Sequence, residues 1–227
     1  VAKNDTFQAY VAEVADQALT TQAADIEAFL AEESKAEAGK TVKEALDGKI
    51  AVIGENLNIR RFSKMAAEDG FVASYIHAGG KIGVLVHVAT DVVNDEIKEM
   101  GKNVAMQVAA IAPKYTSRDE VSKDYIDHET EILKIQAKNE NPDKPDNIIE
   151  KMIIGRLNKE LKEVCLLDQA YVKAEDGKQA VGKYVEQVAK ANGANVTIKE
   201  FVRFETGEGI EKKEENFAEE VAKQMGN

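Results

Sequence analysis

The residues from Ile53 to Ala89, IGENLNIRRFSKMAAEDGFVASYIHAGGKIGVLVHVA, narrow the possible folds more than any others in the chain. Gly54 follows an amphipathic segment and can take the left-handed conformation that closes a helix. Leu57, Ile59 and Phe62 then recur among polar residues in a ragged period of two, which predicts a strand. Gly70 breaks that run. Phe71 to Ile76 forms a second run, Gly79 and Gly80 supply positive φ for a tight turn, and Lys81 to Ala89 returns as a β-branched run. This part is expected to be a β-hairpin.

Upstream, Asn4 or Asp5 can cap a helix whose Phe7, Val11, Val14 and Ala18 recur every three or four residues and share one buried face. A short helix is expected around Ile26 to Leu30 and a solvated helix end and loop over Glu32 to Lys40. Thr41 and Glu44 then make a capping box for a helix striped by Val42, Leu46 and Ile50. Downstream, Ile97, Met100, Val104, Val108 and Ile111 mark a helix that ends before Pro113. Its Gly101 and alanines point to another backbone packed close. Ser117 with Glu120 reads as a further capping box, and Val121, Tyr125, His128, Ile132 and Ile135 follow at heptad spacing, which predicts a narrow seam. The segment NENPDKPDN breaks the helix. Asn147 with Glu150 opens the next one, striped by Ile154, Leu157, Leu161 and Val164, and two seamed helices joined by a turn imply an antiparallel hairpin. Tyr171 to Lys173 is expected to be extended, Val181, Tyr184, Val185 and Val188 helical, and Val196 to Phe204 a strand with a bulge. Asn216 to Gln224 reads as a short amphipathic helix with Phe217 and Val221 on one side.

The residues offer little reactive chemistry. His77, His87 and His128 share no metal-ligand spacing, and the sequence contains no HExxH, CxxC or GxSxG motif and no Gly-Lys-Ser/Thr phosphate loop. HAGGKIG has the glycines but leads into a strand, where a phosphate loop needs a helix N-terminus. With 41 acidic against 30 basic residues, carboxylate pairs such as Glu68-Asp69 and Glu219-Glu220 read as solvated faces. The net charge of -11, with no dense Lys/Arg tract, argues against direct binding of nucleic acid or an anionic membrane. The lone Cys165 excludes an internal disulfide and suits a reducing, cytoplasmic compartment. No enzyme activity, cofactor or metal is expected. His77 reads either as a turn residue bonded to nearby backbone or as a partner contact at the hairpin tip; His87 reads as ordinary strand structure and His128 as packing on the seam. Tyr171 and Val172 read as strand core or as an exposed apolar knob, and the Phe217 and Val221 stripe docks on its own core or on a partner.

Several blocks resemble bacterial elongation factor Ts, the guanine-nucleotide exchange factor for elongation factor Tu. They are VAKND at the start, IGEN-x-N-I-R-R, S-Y-x-H-x-G-x-K-I-G-V-L-V, VAMQVAAIAPKY, EKMIIGRLNKELKEVCLLDQAYVK and FVRFETGEGIEK, in the same order and covering nearly the whole chain. The resemblance implies an α+β fold: two related antiparallel-sheet-plus-helix subdomains, an inserted antiparallel helical hairpin (a coiled coil) and a C-terminal helix. On this chain, residues 1-69 would be the remainder of the N-terminal half of the core, 70-116 and 166-210 its C-terminal half, 117-165 the inserted hairpin and 211-227 the C-terminal module. It further implies no bond chemistry: the family binds elongation factor Tu carrying GDP, displaces a helix with an inserted phenylalanine, disturbs the magnesium and phosphate site, and so speeds GDP release. The positions matching its partner contacts are Ile53, Gly54, His77, Tyr171, Val172, Phe217 and Val221.

One departure matters. The family's Thr-Asp-Phe, which carries that phenylalanine, precedes Val-Ala-Lys, whereas this sequence begins at Val1-Ala2-Lys3, and Phe7 fits a buried stripe instead. The sequence therefore reads as part of a longer exchange factor, expected on its own to bind weakly and to accelerate release little. Two other readings stand beside it. One is a scaffold that docks through the helical hairpin; the other is a small hydrolase using His77 with Glu55 or Asp69.

Overall fold

The computed structural model describes residues 1–210, so the expected C-terminal helix with Phe217 and Val221 lies outside the described residues. The chain forms two compact units, one of Val1–Ala66 and one from Ala67 onward.

Three helices build the first unit. Helix α1 (Asp5–Thr20) is capped by Asn4, whose Oδ1 accepts from the Phe7 amide at 3.1 Å. Asp25 caps α2 (Ile26–Ala31), and the Thr41 and Glu44 box opens α3 (Val42–Ile53), which ends on Gly54 at φ 76°. Phe29 is fully buried with Ala18 and Val42, and Val14, Ile26, Ile59 and Phe62 pack against them. The inward face of α1 is turned from the expected one. Tyr10 and Gln17 are buried, Phe7 is half-buried and Val11 is 49% exposed. The buried glutamine explains the turn, since its amide donates to the Glu33 carbonyl and accepts from the Lys35 amide. It thereby ties down a loop expected to be solvated, in which Ser34 is buried as well.

The strand expected at Leu57 to Phe62 does not form, for residues 54–70 pair with no strand among the described residues. The alternation is real: Leu57, Ile59 and Phe62 are half-buried while Asn58, Arg60 and Arg61 are exposed, and the Phe62 ring lies 4.8 Å from that of Phe29. A period of two records which side faces apolar neighbours. A ladder also needs a second backbone alongside, and here helices supply the neighbours.

The second unit holds a three-stranded antiparallel sheet, β1 (Phe71–His77), β2 (Ile82–Thr90) and β3 (Val196–Glu205), with β2 in the centre. The expected hairpin turns through Ala78, Gly79 and Gly80, all at positive φ, and the His77 carbonyl accepts from the amides of Gly80 and Lys81. The bulge in β3 is also present: His87 faces Glu200 and Val88 faces Ile198, leaving Lys199 without a partner in the ladder. Ala73, Val84, Val86, Val88 and Ile198 bury one sheet face against α4 (Asp95–Ile111) and α7 (Val181–Ala191). Gly101 meets side chains rather than another backbone; a Cβ there would stand 3.0 Å from the Phe71 ring and 3.2 Å from the Ala73 Cβ. Ile111, at the end of the stripe, is 46% exposed. Tyr171 to Lys173 is not extended but opens a turn in which the Ala174 amide donates to the Tyr171 carbonyl.

Asp91 joins two loops at one end of this sheet. Its carboxylate accepts from the Asn195 amide at 2.8 Å and from the Asn195 side chain at 2.7 Å, and these bonds, the backbone one foremost, hold its carboxyl below the usual range. A lowered folded-state pKa gives stability that is present above the ordinary carboxylate value and lost as pH falls through the folded one. Asp91→Ala is therefore expected to lower the melting temperature at about pH 7 and to converge with the unsubstituted protein once the pH has fallen through the folded-state value. A deficit that persists in acid would show that the carboxylate charge is not the cause.

Helices α5 (Lys123–Glu140) and α6 (Asp146–Val164) pack along each other with contacts in opposite order: the Tyr125 hydroxyl donates to Glu160, and Ala137 meets Ile149 and Ile153. Both expected caps move. Ser122 caps α5, while Ser117 opens only a short 3-10 turn and makes no side-chain cap bond. Pro145 occupies the N-cap of α6 and starts the helix ahead of Asn147. The seam keeps Val121 and Tyr125 with Leu157, Leu161 and Val164 as expected, but further along it runs through Leu133 and Ala137 against Ile149 and Ile153, with His128, Ile135 and Ile154 exposed. Adjacent isoleucines offer several stripes, and the facing helix selects among them.

Candidate functional site

Strand β1 delivers His77 to the hairpin end. Its Nδ1 lies 2.9 Å from the Tyr75 hydroxyl two residues back, so the ring bonds to a side chain and not to the turn backbone. Ile76, which precedes it, is 65% exposed on the opposite face of the strand. Asp69, one acid considered for a hydrolytic pair, engages the other strand histidine instead, with its Oδ1 3.0 Å from His87 Nε2.

Tyr75 also walls a cleft of about 570 Å³, lined further by Lys98, Glu99, Lys102, Asn103 and Met106 of α4 and by Lys173. The turn that carries Lys173 resolves the two alternatives for its neighbours. Tyr171 is core: it is buried and stacks on Tyr184 with ring centroids 4.2 Å apart, and burial, then hydrogen bonding with Tyr184, pushes its hydroxyl pKa up. Val172 is 48% exposed. His77 bonds to Tyr75 and Val172 precedes Lys173, so each adjoins a residue that lines the cleft.

Two buried amides of α4 fix this arrangement, and both were missed in the sequence. Asn103 donates to the Tyr184 hydroxyl at 2.9 Å and accepts from Lys173 Nζ at 2.8 Å. Gln107, fully buried, donates to the Gln169 side chain and to the Ala170 carbonyl, both at 3.1 Å, and accepts from the Val172 amide at 2.9 Å. Gln169 in turn donates to the Glu163 carbonyl at 2.7 Å, so the relay runs from the last turn of α6 to Val172. A signal existed, for Asn103 and Gln107 are polar and four apart on a helix that is otherwise apolar inward.

Ile53 and Gly54 belong to the first unit. Gly54 closes α3, its amide donating to the Ile50 carbonyl at 2.9 Å, and nothing lies within 4 Å of where a Cβ would stand. Ile53 is half-buried and the adjacent Val52 is 77% exposed. Among the described residues no group of three or more His, Cys, Asp or Glu is placed to hold a metal, and no helix is long and apolar enough to cross a membrane. What the cleft and hairpin tip present is aliphatic groups, amides, a phenol and ammonium groups, which suits contact with another molecule.

Comparison with known proteins agrees with the resemblance. The family model described as Elongation factor TS matches residues 1–208. Elongation factor Ts of Clostridioides difficile (strain 630) is 54% identical over 225 residues, covering 99% of this chain and 72% of that protein. Elongation factor Ts of Clostridium botulinum (strain Eklund 17B / Type B) is 49% identical over 226 residues, covering 100% of this chain and 73% of that protein. The Clostridium perfringens (strain SM101 / Type A) protein of the same name is 46% identical over the same length and share.

Proposed function

Because this chain belongs to the elongation factor Ts family, we propose that it is a guanine-nucleotide exchange factor that binds elongation factor Tu carrying GDP and promotes GDP release by protein contact. The observation that carries this reading is the family match across residues 1–208, which spans every element that presents the exposed groups described above. In this reading the protein acts in the cytoplasm, without bond chemistry or a cofactor. His77 and Val172 touch elongation factor Tu from the second unit, Ile53 and Gly54 from the first, and Phe217 and Val221 from the tail; Tyr171 supports Val172 from beneath. The α5 and α6 pair is the inserted coiled-coil hairpin. Exchange of this kind requires only that the nucleotide-free partner be bound better than the loaded one, and the coupling is reciprocal: GDP weakens the complex as much as the complex weakens GDP.

The test is release of a fluorescent GDP analogue from elongation factor Tu, with this polypeptide and with the same polypeptide preceded by Thr-Asp-Phe and its adjoining segment. Both forms are expected to bind and the extended form to accelerate release strongly. Binding by both without acceleration by either would overturn the exchange reading and leave a docking module.

A further inference from the structure

We infer that the cleft between β1, α4 and the Tyr171 turn is a cationic dock for a carboxylate-bearing segment of the partner protein. This rests on the exchange reading above and adds the chemistry of the surface that the partner brings.

The charge is out of keeping with the chain. In a protein of net charge -11, the cleft lining carries the ammonium groups of Lys98, Lys102 and Lys173 against the single carboxylate of Glu99. Lys40 pairs with Glu37, Lys43 with Asp47, Lys49 with Glu13, Lys138 with Asp146 and Lys183 with Glu186, while many other surface lysines make no ion pair among the described residues, so what marks the cleft is the clustering of its lysines. Among the described residues none of the three cleft lysines makes an ion pair. Lys98 and Lys102 stand four apart on α4 and therefore on the same side of the helix. Three ammonium groups against one carboxylate leave an excess of positive charge, and an arriving anion relieves the repulsion among them.

Lys173 is also positioned in advance. The Asn103 side chain that accepts from its Nζ is itself buried and oriented by the Tyr184 hydroxyl, on which Tyr171 stacks. A neutral amide fixes the direction of an ammonium without cancelling its charge, and an ammonium has further donors to offer. Tyr75 and Met106 give the cleft apolar walls, which strengthen a charge contact by excluding water.

The surroundings favour a protein carboxylate over a free phosphate. The described lining offers no arginine fork and no glycine nest, and the first turn of α4 carries Asp95 and Glu96. Exposed Val172 adjoins Lys173 in the chain, so an aliphatic group lies beside the charged floor, as in protein interfaces.

The test measures association of the full chain with elongation factor Tu and GDP over a salt series. Lys98→Glu with Lys102→Glu, both exposed, is expected to slow association about tenfold at low salt and to flatten its salt dependence, while melting stays unchanged. Arginine at both positions should restore the rate, and Lys190→Glu with Lys199→Glu, the same charge change elsewhere on the second unit, should alter it far less. No binding by the unsubstituted chain would overturn the exchange reading and the dock with it. Normal binding by the unsubstituted chain, matched by the Lys98 and Lys102 double reversal, would overturn the dock alone. Saturable shifts of the Asn103 and Lys173 resonances with submillimolar inorganic pyrophosphate would overturn the protein carboxylate in favour of a small anion.

Discussion

Gln107→Leu is expected to lower the melting temperature of the second unit by about 10 °C and to weaken binding of elongation factor Tu at the same time. Leucine fills a similar space on α4 but offers neither donor nor acceptor. The Val172 amide, the Ala170 carbonyl and the Gln169 side chain would each lose a partner they now hold at 2.9 to 3.1 Å. A buried group left unpaired costs roughly 1–3 kcal/mol, and Val172 can turn partly to water, so the sum is about 3 kcal/mol. The functional part follows from what the relay holds. Gln107 fixes the backbone on which the exposed Val172 and the adjacent Lys173 are carried, and Gln169 links the same backbone to the end of α6. Hydrogen exchange separates this from general loosening, because the Val172 amide should lose protection well before the centre of β2 does. An amide at Val172 that stays as protected as in the parent protein would show that something other than Gln107 holds the turn.

The sequence disclosed the hairpin, the bulge and the helices with strong stripes, because each of those is decided locally. Gly79 and Gly80 turn as expected and Thr41 with Glu44 caps, whereas Ser117 with Glu120 and Asn147 with Glu150 do not cap where their pattern suggested. It misled wherever the deciding neighbour is distant in the chain. Ile154 and Ile153 are equally apolar, yet only Ile153 faces Ala137, and nothing near either residue says so. Leu57, Ile59 and Phe62 alternate like a strand because one side of them is buried, while the partner backbone that would make them a strand is absent among the described residues. The proposed partner-facing region was visible in the same uneven way. His77 and Val172 stand out as residues of a turn and of a short segment, and both prove exposed. Asn103, Gln107 and Tyr184, which set the cleft, act through partners some 60 to 80 positions away in sequence. Only their polarity on a buried helix face marked the first two beforehand.

Gly70→Ala is expected to be the most damaging single-atom change in the second unit, costing about 4 kcal/mol. A Cβ at Gly70 would stand 2.1 Å from the Val88 carbonyl oxygen and 2.8 Å from the Thr90 amide nitrogen, and the residue sits at φ +108°, which side chains rarely adopt. Backbone strain of that kind costs about 1–3 kcal/mol. Overpacking against atoms that cannot swing aside adds about 1–3 kcal/mol. The neighbouring Phe71 pairs with Val88, so relief means moving the start of β1 away from β2, and every later pair in the register, through Tyr75 with Val84 and His77 with Ile82, shifts with it. Gly79→Ala makes the matched comparison, since Gly79 also has positive φ but nothing within 4 Å of its Cβ position. It should cost only about 1–2 kcal/mol of left-handed strain and leave the sheet intact. Calorimetry of the two variants then isolates the clash. Melting temperatures that agree to within a few degrees would mean that β1 yields freely at its first residue, and in that case Tyr75 and His77 would not be held in place by the sheet. A large gap, with elongation factor Tu binding lost in Gly70→Ala and mostly kept in Gly79→Ala, would mean that the contact surface depends on the strand register more than on the conformation of the turn.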